Sequence, residues 1–164
     1  MKTIVLIRHA KSSWSDMTLD DYDRSLNKRG KRNLPVMAKH LKTQNIEIDK
    51  IYSSAALRAK TTAEEFAKQL EVSLKLYESL YMLSVSKLLD FINEKLTKHD
   101  SIALVVHNPG LTDLCNEISV TNIENIPTCG YVVLQAYTDT ITHNSCQVLD
   151  FAYPKREDIT NTVN

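Results

Sequence analysis

The stretch TIVLIRHAKSSW, residues 3–14, decides the fold class and already points to a site. Residues 3–7 form a short apolar run rich in β-branched side chains, which predicts a buried central strand. Arg8 and His9 follow this run directly. Because both side chains are unfavourable to bury without partners, a buried strand rarely ends in such a pair by accident. We therefore expect Arg8 and His9 to lie at the end of the strand and to serve a site there.

Outward from this strand, the chain alternates between strand-like and helix-like patterns. Apolar residues spaced at i, i+3, i+4 and i+7 predict helices with one buried face, and short apolar runs predict strands. The predicted helices cover residues 32–43, 56–70, 84–96 and 109–118, and the further strands cover residues 49–53, 101–106, 131–137 and 146–152. This alternation predicts an α/β fold with three αβα layers around a mostly parallel central sheet. The two consecutive strands near the end predict some antiparallel pairing.

The composition favours a single soluble globular domain. The chain has 164 residues, of which 43% are hydrophobic and 24% are charged, and its three glycines and four prolines form no recognisable linker. We assign residues 1–156 to one domain and residues 157–164 to a polar C-terminal tail. Lys plus Arg and Asp plus Glu both number 20, and the resulting zero net charge argues against nucleic acid or an anionic membrane as a partner.

The sequence also bears on the cellular compartment. The apolar run at the N-terminus is too short for a signal peptide, and no segment approaches the roughly 20 apolar residues of a membrane span. The three cysteines are widely spaced and form no CxxC pair, which predicts neither a disulfide framework nor a zinc site: Cys115, Cys129 and Cys146. We therefore expect reduced thiols and a cytoplasmic location.

Three predicted strand ends carry the residues that suggest chemistry. Besides Arg8 and His9, Arg58 follows the strand at residues 49–53, and His107 ends the apolar run SIALVV. Because parallel sheets bind ligands outside the carboxyl ends of their strands, we expect these four side chains on one rim. Two arginines and two histidines would repel one another without a ligand. A phosphate dianion relieves that repulsion and matches the planar fork of arginine.

A histidine in such a pocket can act as a nucleophile as well as a ligand. Neutral imidazole attacks phosphorus without help from a second base, and covalent capture divides one difficult displacement into two easier ones. Hydroxyl groups near the strand ends are candidate additional donors: Ser12, Ser53 and Ser54. Taken singly, each histidine or arginine has an ordinary explanation as a polar rim residue or a solvated helix residue. Together they predict an anion site that contains a candidate histidine nucleophile.

The motif LIRHAKSSW resembles the Arg-His signature of the histidine phosphatase superfamily, in its phosphoglycerate-mutase-like branch 1. Further blocks extend the resemblance to about Arg156: DYDRSLNKRGKRN, SSAALRAKTTAEEFA, LYMLS, VVHNPGLTDL, NIPTCGYVVL and LDFAYPKR. Their order, their spacing and the short chain are similar to the SixA-like subgroup of compact phosphohistidine phosphatases. The resemblance implies a phosphoglycerate-mutase-like fold and a hydrolase that needs neither metal nor cofactor.

The resemblance also implies roles for individual residues. His9 matches the nucleophile that becomes phosphorylated. Arg8, Arg58 and His107 match the catalytic residues that hold the phosphoryl group. Ser12 and Arg24 are expected to join these three in binding the substrate.

One position departs from the family pattern. Larger members that hydrolyse phosphomonoesters carry a glutamate general acid where this chain has Met82, and Glu78 lies four residues too early. An alkoxide leaving group benefits from a proton donor, whereas protonated imidazole leaves with little help. The departure therefore favours an N–P substrate. Four aspartates lie in the loop after the motif: Asp16, Asp20, Asp21 and Asp23. By default they form a solvated acidic loop, and the alternative is that one of them replaces the missing general acid.

The sequence thus predicts a phosphatase that removes phosphate from phosphohistidine on a phosphotransfer protein. A small phosphorylated molecule is the alternative substrate, and a mutase or a non-catalytic phosphoprotein binder is the alternative class. The basic run RSLNKRGKR, residues 24–32, is either a solvated helix start or a surface for an acidic phosphoprotein. We expect a monomer.

Overall fold

A computed structural model describes residues 1–160 and contains a six-stranded central sheet. The strands lie in the order β3-β2-β4-β1-β5-β6. Their bounds are Lys2–Arg8 for β1, Lys50–Ser54 for β2, Leu74–Tyr77 for β3, Ser101–Val106 for β4, Tyr131–Ala136 for β5 and Cys146–Ala152 for β6. The first four strands in this order are parallel, and β5 pairs antiparallel with both β1 and β6. The predicted mostly parallel sheet with antiparallel pairing near the end is confirmed.

Helices cover both faces of the sheet. They are α1 (Lys28–Thr43), α2 (Leu57–Leu70), α3 (Val85–Leu96), α4 (Gly110–Ile118) and the short α5 (Glu157–Thr160). One core packs the sheet against α3 and α4, and the other packs it against α1 and α2. Alternate residues of β1 enter the two cores, Ile4 on one side and Val5 on the other. A strand that is buried on both faces must be apolar throughout, which explains the continuous run that predicted it.

The start of α1 is held against the chain segment that follows β1. Asn27 caps the helix, because its side chain accepts the N–H of Gly30 at 2.8 Å. A Cβ atom on Gly30 would lie 2.2 Å from the carbonyl oxygen of Lys11, so only glycine permits this close approach. The contact fixes the loop from Ala10 onwards relative to α1, beside the carboxyl end of β1.

Two features differ from the sequence-based expectations. The edge strand β3 was not predicted, because its four residues are only partly buried or exposed and carry a weak pattern. The polar tail expected over residues 157–164 begins with α5, and Ile159 is 1% exposed within the core that contains α1 and α2. Residues 161–164 of that predicted tail lie outside the described residues. A single apolar residue among polar neighbours does not predict a helix that packs against the core, so the sequence did not reveal α5.

Two structural findings bear on the predicted membrane topology and on the cysteines. No helix within residues 1–160 is long and apolar enough to cross a membrane. All three cysteines are free and buried. Burial raises the pKa of the Cys129 thiol to about 12, so this residue behaves as a small hydrophobe.

Candidate active site

The register of the sheet brings the three predicted strand ends together. Strand β4 lies between β1 and β2, with Arg8 opposite Val106 and Ser53 opposite Val105. The residues that follow these strands therefore meet at one edge, as the parallel arrangement requires. A cavity of about 420 Å³ lies there, and it is lined by the six residues that were assigned catalytic or substrate-binding roles: Arg8, His9, Ser12, Arg24, Arg58 and His107.

His9 is held as a neutral imidazole with one nitrogen free. Its Nδ1 lies 2.8 Å from the carbonyl oxygen of Ala10, and a carbonyl only accepts, so Nδ1 carries the proton and Nε2 keeps its lone pair. The N–H of Ala10 donates to Thr62 Oγ1 at 2.9 Å, which ties this turn to α2. Burial, together with the nearby positive groups, lowers the pKa of His9 to about 3. The side chain is thus unprotonated at Nε2 at neutral pH.

His107 lies beside His9, and the two ring centroids are 5.1 Å apart. Its Nε2 is 2.8 Å from Ser54 Oγ, whose oxygen accepts the N–H of Ala56 at 3.2 Å. The hydroxyl proton of Ser54 is therefore available to Nε2, and in that tautomer the ring proton of His107 lies on Nδ1. Burial, together with the charge of Arg58, lowers the pKa of His107 to about 4. Ser54 therefore orients His107 and does not line the pocket itself.

Three buried nitrogens in this pocket lack a hydrogen-bond partner, and they are the only such side-chain atoms within residues 1–160. They are Arg8 Nε, Arg58 Nε and His107 Nδ1. Buried polar groups are nearly always satisfied, so a cluster of such nitrogens is suited to bind a ligand that offers acceptor oxygens. The oxygens of a phosphoryl group are acceptors of the kind that guanidinium groups bind best.

Asp21 enters the pocket and corrects the default interpretation of the acidic loop. Its Oδ2 accepts from Arg58 at 2.9 Å and from the hydroxyl of Tyr81. Its Oδ1 accepts from Arg24 Nη2 at 2.8 Å and from Nε at 3.0 Å. Burial opposes ionisation of this carboxyl, but the hydrogen bonds from Tyr81, Arg24 and Arg58 outweigh it and hold the pKa of Asp21 well below its usual range.

The other three loop aspartates do not line the cavity. Asp16 is exposed and accepts from Thr18, which lowers its pKa. Asp20 and Asp23 are also exposed. The solvated interpretation therefore fits these three residues.

Arg24 and Ser12 lie together at the pocket wall. Arg24 Nη1 donates to Ser12 Oγ at 2.6 Å, and the guanidinium carbon lies 3.6 Å from the ring centroid of Trp14. This cation–π contact fixes the arginine, which is 7% exposed. Ser12 is 6% exposed and pairs with Leu26 in an isolated bridge, so the loop closes on itself.

The structure excludes Ser53 and Ser54 as direct donors to a ligand and places Met82 in the pocket wall. Ser53 is fully buried and donates to the carbonyl of Ser54 at 2.9 Å, so it does not reach the cavity. Met82 lines the cavity and is 70% exposed, whereas Glu78 is not among the lining residues. Within the basic run 24–32, Arg24 is buried in the pocket wall, whereas the other basic residues are exposed in the first turns of α1: Lys28, Arg29, Lys31 and Arg32. The role of this run as a docking surface stays a prediction.

Sequence reasoning missed several residues of this site. Asp21 was one of four equivalent candidates, and Tyr81, Trp14 and Thr62 carried no signal in the sequence. These side chains come from loops and from α2, and only the packed structure shows which of them face the strand ends.

A family model described as "Histidine phosphatase superfamily (branch 1)" matches residues 4–90. The chain belongs to this superfamily. An uncharacterised chloroplastic protein from Arabidopsis thaliana is 26% identical over 147 residues, which cover 83% of this chain and 67% of that protein. A 2,3-bisphosphoglycerate-dependent phosphoglycerate mutase from Bartonella henselae is 35% identical over 74 residues, but these cover only 44% of this chain and 36% of the mutase.

Solved structures share the same fold. The SixA protein from Agrobacterium tumefaciens has a TM-score of 0.82 and 24% identity, with 93% of this chain and 98% of that chain covered. A protein histidine phosphatase SixA complexed with tungstate has a TM-score of 0.74 and 21% identity, with 89% and 96% covered. The predicted phosphoglycerate-mutase-like α/β fold of SixA-like type is confirmed. Superfamily membership, together with the intact pocket, supports phosphatase activity.

Proposed function

We propose that this chain is a metal-independent phosphatase that forms a covalent phosphohistidine intermediate on His9. The observation that carries the proposal is the combination of a neutral His9 with a free Nε2 and three unsatisfied donors on its neighbours. A nucleophile and a set of oxyanion donors are the two parts that phosphoryl transfer requires. A site that only bound phosphate would have no use for the free Nε2.

The reaction takes place in two displacements. In the first, the lone pair of His9 Nε2 forms a bond to phosphorus while the bond to the leaving group breaks. Arg8, Arg58 and His107 hold the three equatorial oxygens as charge develops on them. In the second, a water molecule attacks phospho-His9, the N–P bond breaks, and inorganic phosphate leaves. The fixed Nδ1–H bond to Ala10 keeps the reactive nitrogen in place throughout.

The substrate that we favour is phosphohistidine on a phosphotransfer protein. Its imidazole leaves readily once it is protonated, so the pocket does not require the acid that Met82 replaces. The tungstate-bound relative of the same fold is described as a protein histidine phosphatase. We further propose a cytoplasmic, monomeric enzyme.

One observation favours a small phosphomonoester as the second candidate. Asp21 lines the cavity and would be the acid for an alkoxide leaving group. In the free protein, however, three hydrogen-bond donors keep this carboxyl ionised, so it cannot donate a proton in that arrangement.

The test compares phosphate release from phosphohistidine on a histidine-containing phosphotransfer domain with release from 4-nitrophenyl phosphate. Both reactions are run in the presence of a metal chelator. The expected result is rapid release from phosphohistidine that His9→Ala abolishes and that His143→Ala, a change at an exposed histidine outside the pocket, leaves intact. Substantial turnover by His9→Ala would refute the covalent mechanism. Release from the ester alone would move the substrate to small phosphomonoesters.

A further inference from the structure

A second cavity, of about 390 Å³, adjoins the phosphoryl pocket. Three residues line both cavities, namely Met82, His107 and Asn108. The other walls come from the segment before α3 and from the first turns of α3 and α4, and most of them are apolar: Leu80, Leu83, Val85, Leu88, Val106 and Pro109. We call this cavity the apolar groove. It adjoins the phosphoryl pocket at His107, so a group bound there lies next to a phosphoryl group in the pocket.

Met82 forms the wall between the pocket and the groove, and both its exposure and its backbone conformation are unfavourable for a methionine. Its side chain is 70% exposed, which leaves a large apolar surface in water. Its backbone has a φ of 64°, in the left-handed region that favours glycine and asparagine over methionine. Such an outlier beside a reaction centre suggests a functional contact. An apolar ligand group that covers the side chain would explain why a methionine stands there.

The walls of the groove indicate what kind of ligand it takes. Met82, Ser84 and Pro109 are exposed, so the groove is an open surface feature rather than an enclosed cavity. A small metabolite in the phosphoryl pocket would leave most of the groove in contact with water. Asp113 is the one charged side chain that lines the groove among the described residues, and it disfavours an acidic occupant. An apolar side chain carried on another protein meets these conditions.

We propose that the apolar groove receives an apolar side chain of the phosphoprotein, placed one helical turn from the phosphohistidine. On a helix, side chains three or four positions apart lie about 5–6 Å from each other, so one can enter the groove while its neighbour enters the adjoining pocket. Met82, Leu83 and Val85 then determine which phosphoproteins are preferred. This inference rests on the proposed function and adds the local sequence that the enzyme selects.

Two synthetic helical peptides of about 20 residues test the proposal. Each contains a single histidine, phosphorylated with phosphoramidate, and they differ only in having leucine or glutamine four positions before and after that histidine. The measurement is the ratio of kcat/KM for the leucine peptide to kcat/KM for the glutamine peptide. Burial of one leucine side chain gives an expected ratio of about tenfold.

Matched variants locate the preference in the groove. Met82→Gln should lower the ratio to about twofold, because a polar wall loses contact with the leucine. Met17→Gln is the same change at a methionine that is 85% exposed and lines neither cavity, so the ratio should remain about tenfold. Val85→Asp is a second groove variant. A carboxylate in the first turn of α3 favours the helix, but Val85 packs partly against the core, so the circular dichroism spectrum of the variant must match that of the wild type before its ratio is compared.

The outcomes separate this inference from the function on which it rests. Equal kcat/KM for the two peptides, with hydrolysis that still requires His9, overturns the groove assignment alone. A leucine preference that neither Met82→Gln nor Val85→Asp changes does the same. If neither peptide releases phosphate in a reaction that depends on His9, both the groove and the phosphohistidine substrate are wrong.

Discussion

Replacing Asp21 by asparagine should strengthen the binding of inorganic phosphate. The carboxylate of Asp21 lies 2.9 Å from Arg58 and 2.8 Å from Arg24, so it occupies guanidinium groups that a phosphate would use. A phosphate that enters the pocket must share these arginines with a fixed negative charge or displace it. Asp21→Asn keeps the size of the side chain and removes the charge.

The magnitude follows from the two ion pairs. The Asp21 side chain is 43% exposed, so solvent screens both pairs and each is worth no more than about 1 kcal/mol. Removing one or both ion pairs should therefore make the free energy of phosphate binding more favourable by about 1–2 kcal/mol, which corresponds to a five- to thirtyfold lower dissociation constant. The same change should slow hydrolysis of an alkyl phosphate, whose alkoxide leaving group needs a proton, if Asp21 supplies that proton.

Isothermal titration calorimetry with inorganic phosphate at pH 7 measures the effect. Asp23→Asn is the matched control, because this exposed aspartate lies in the same single 3₁₀ turn, Asp21–Asp23, but does not line the cavity. Its phosphate affinity should equal that of the wild type. Unchanged or weaker phosphate binding by Asp21→Asn would show that the carboxylate does not compete for the arginines, and the reasoning would be refuted.

Two further predictions concern the histidines. The pKa values of His9 and His107 are lowered to about 3 and about 4, so the unfolded chain binds more protons than the native chain below the ordinary histidine pKa of about 6.5. The contribution of these histidines to the free energy of unfolding is therefore complete above pH 6.5 and falls with decreasing pH, by about 2 kcal/mol for each histidine at pH 5. Urea unfolding of the wild type and of His9→Asn at pH 7 and pH 5 measures this loss. The variant should lose about half as much as the wild type, and identical losses would contradict the assignment. Ser54→Ala should lower kcat about tenfold with little change in KM, because His107 loses the partner that orients it, whereas Ser53→Ala should preserve kcat. A loss seen only in KM would instead place Ser54 in substrate binding.

Much of the fold could be predicted because its strands carry strong local patterns. The strands β1 and β4 are buried on both faces, so continuous apolar runs revealed them, and the helices carry apolar residues at helical spacing. The edge strand β3 escaped prediction, because a half-exposed strand of four residues resembles a loop. Helix α5 escaped because its one core residue, Ile159, stands among polar neighbours.

The site divides in the same way. Arg8 is the last residue of β1, His9 and His107 follow their strands directly, and Arg58 follows β2 after a short loop. Sequence order and the parallel arrangement therefore sufficed to place them on one rim. The serines were harder to place, because strand residues alternate in direction and a change of one position decides whether a hydroxyl contacts a site residue or only the backbone. Ser54 contacts His107, while Ser53 lies in the interior.

The sequence by itself determined the α/β class, the edge of the sheet that carries the chemistry and the four residues at the centre of the site. Only the tertiary structure showed which of the four loop aspartates enters the pocket, which nitrogen of His9 carries the proton, and that an apolar groove lies beside Met82. The physical reason is the range of the contacts. Asp21 is held by Arg58 and Tyr81, which lie 37 and 60 positions away, and contacts of such separation depend on the packing of the whole chain rather than on any local pattern.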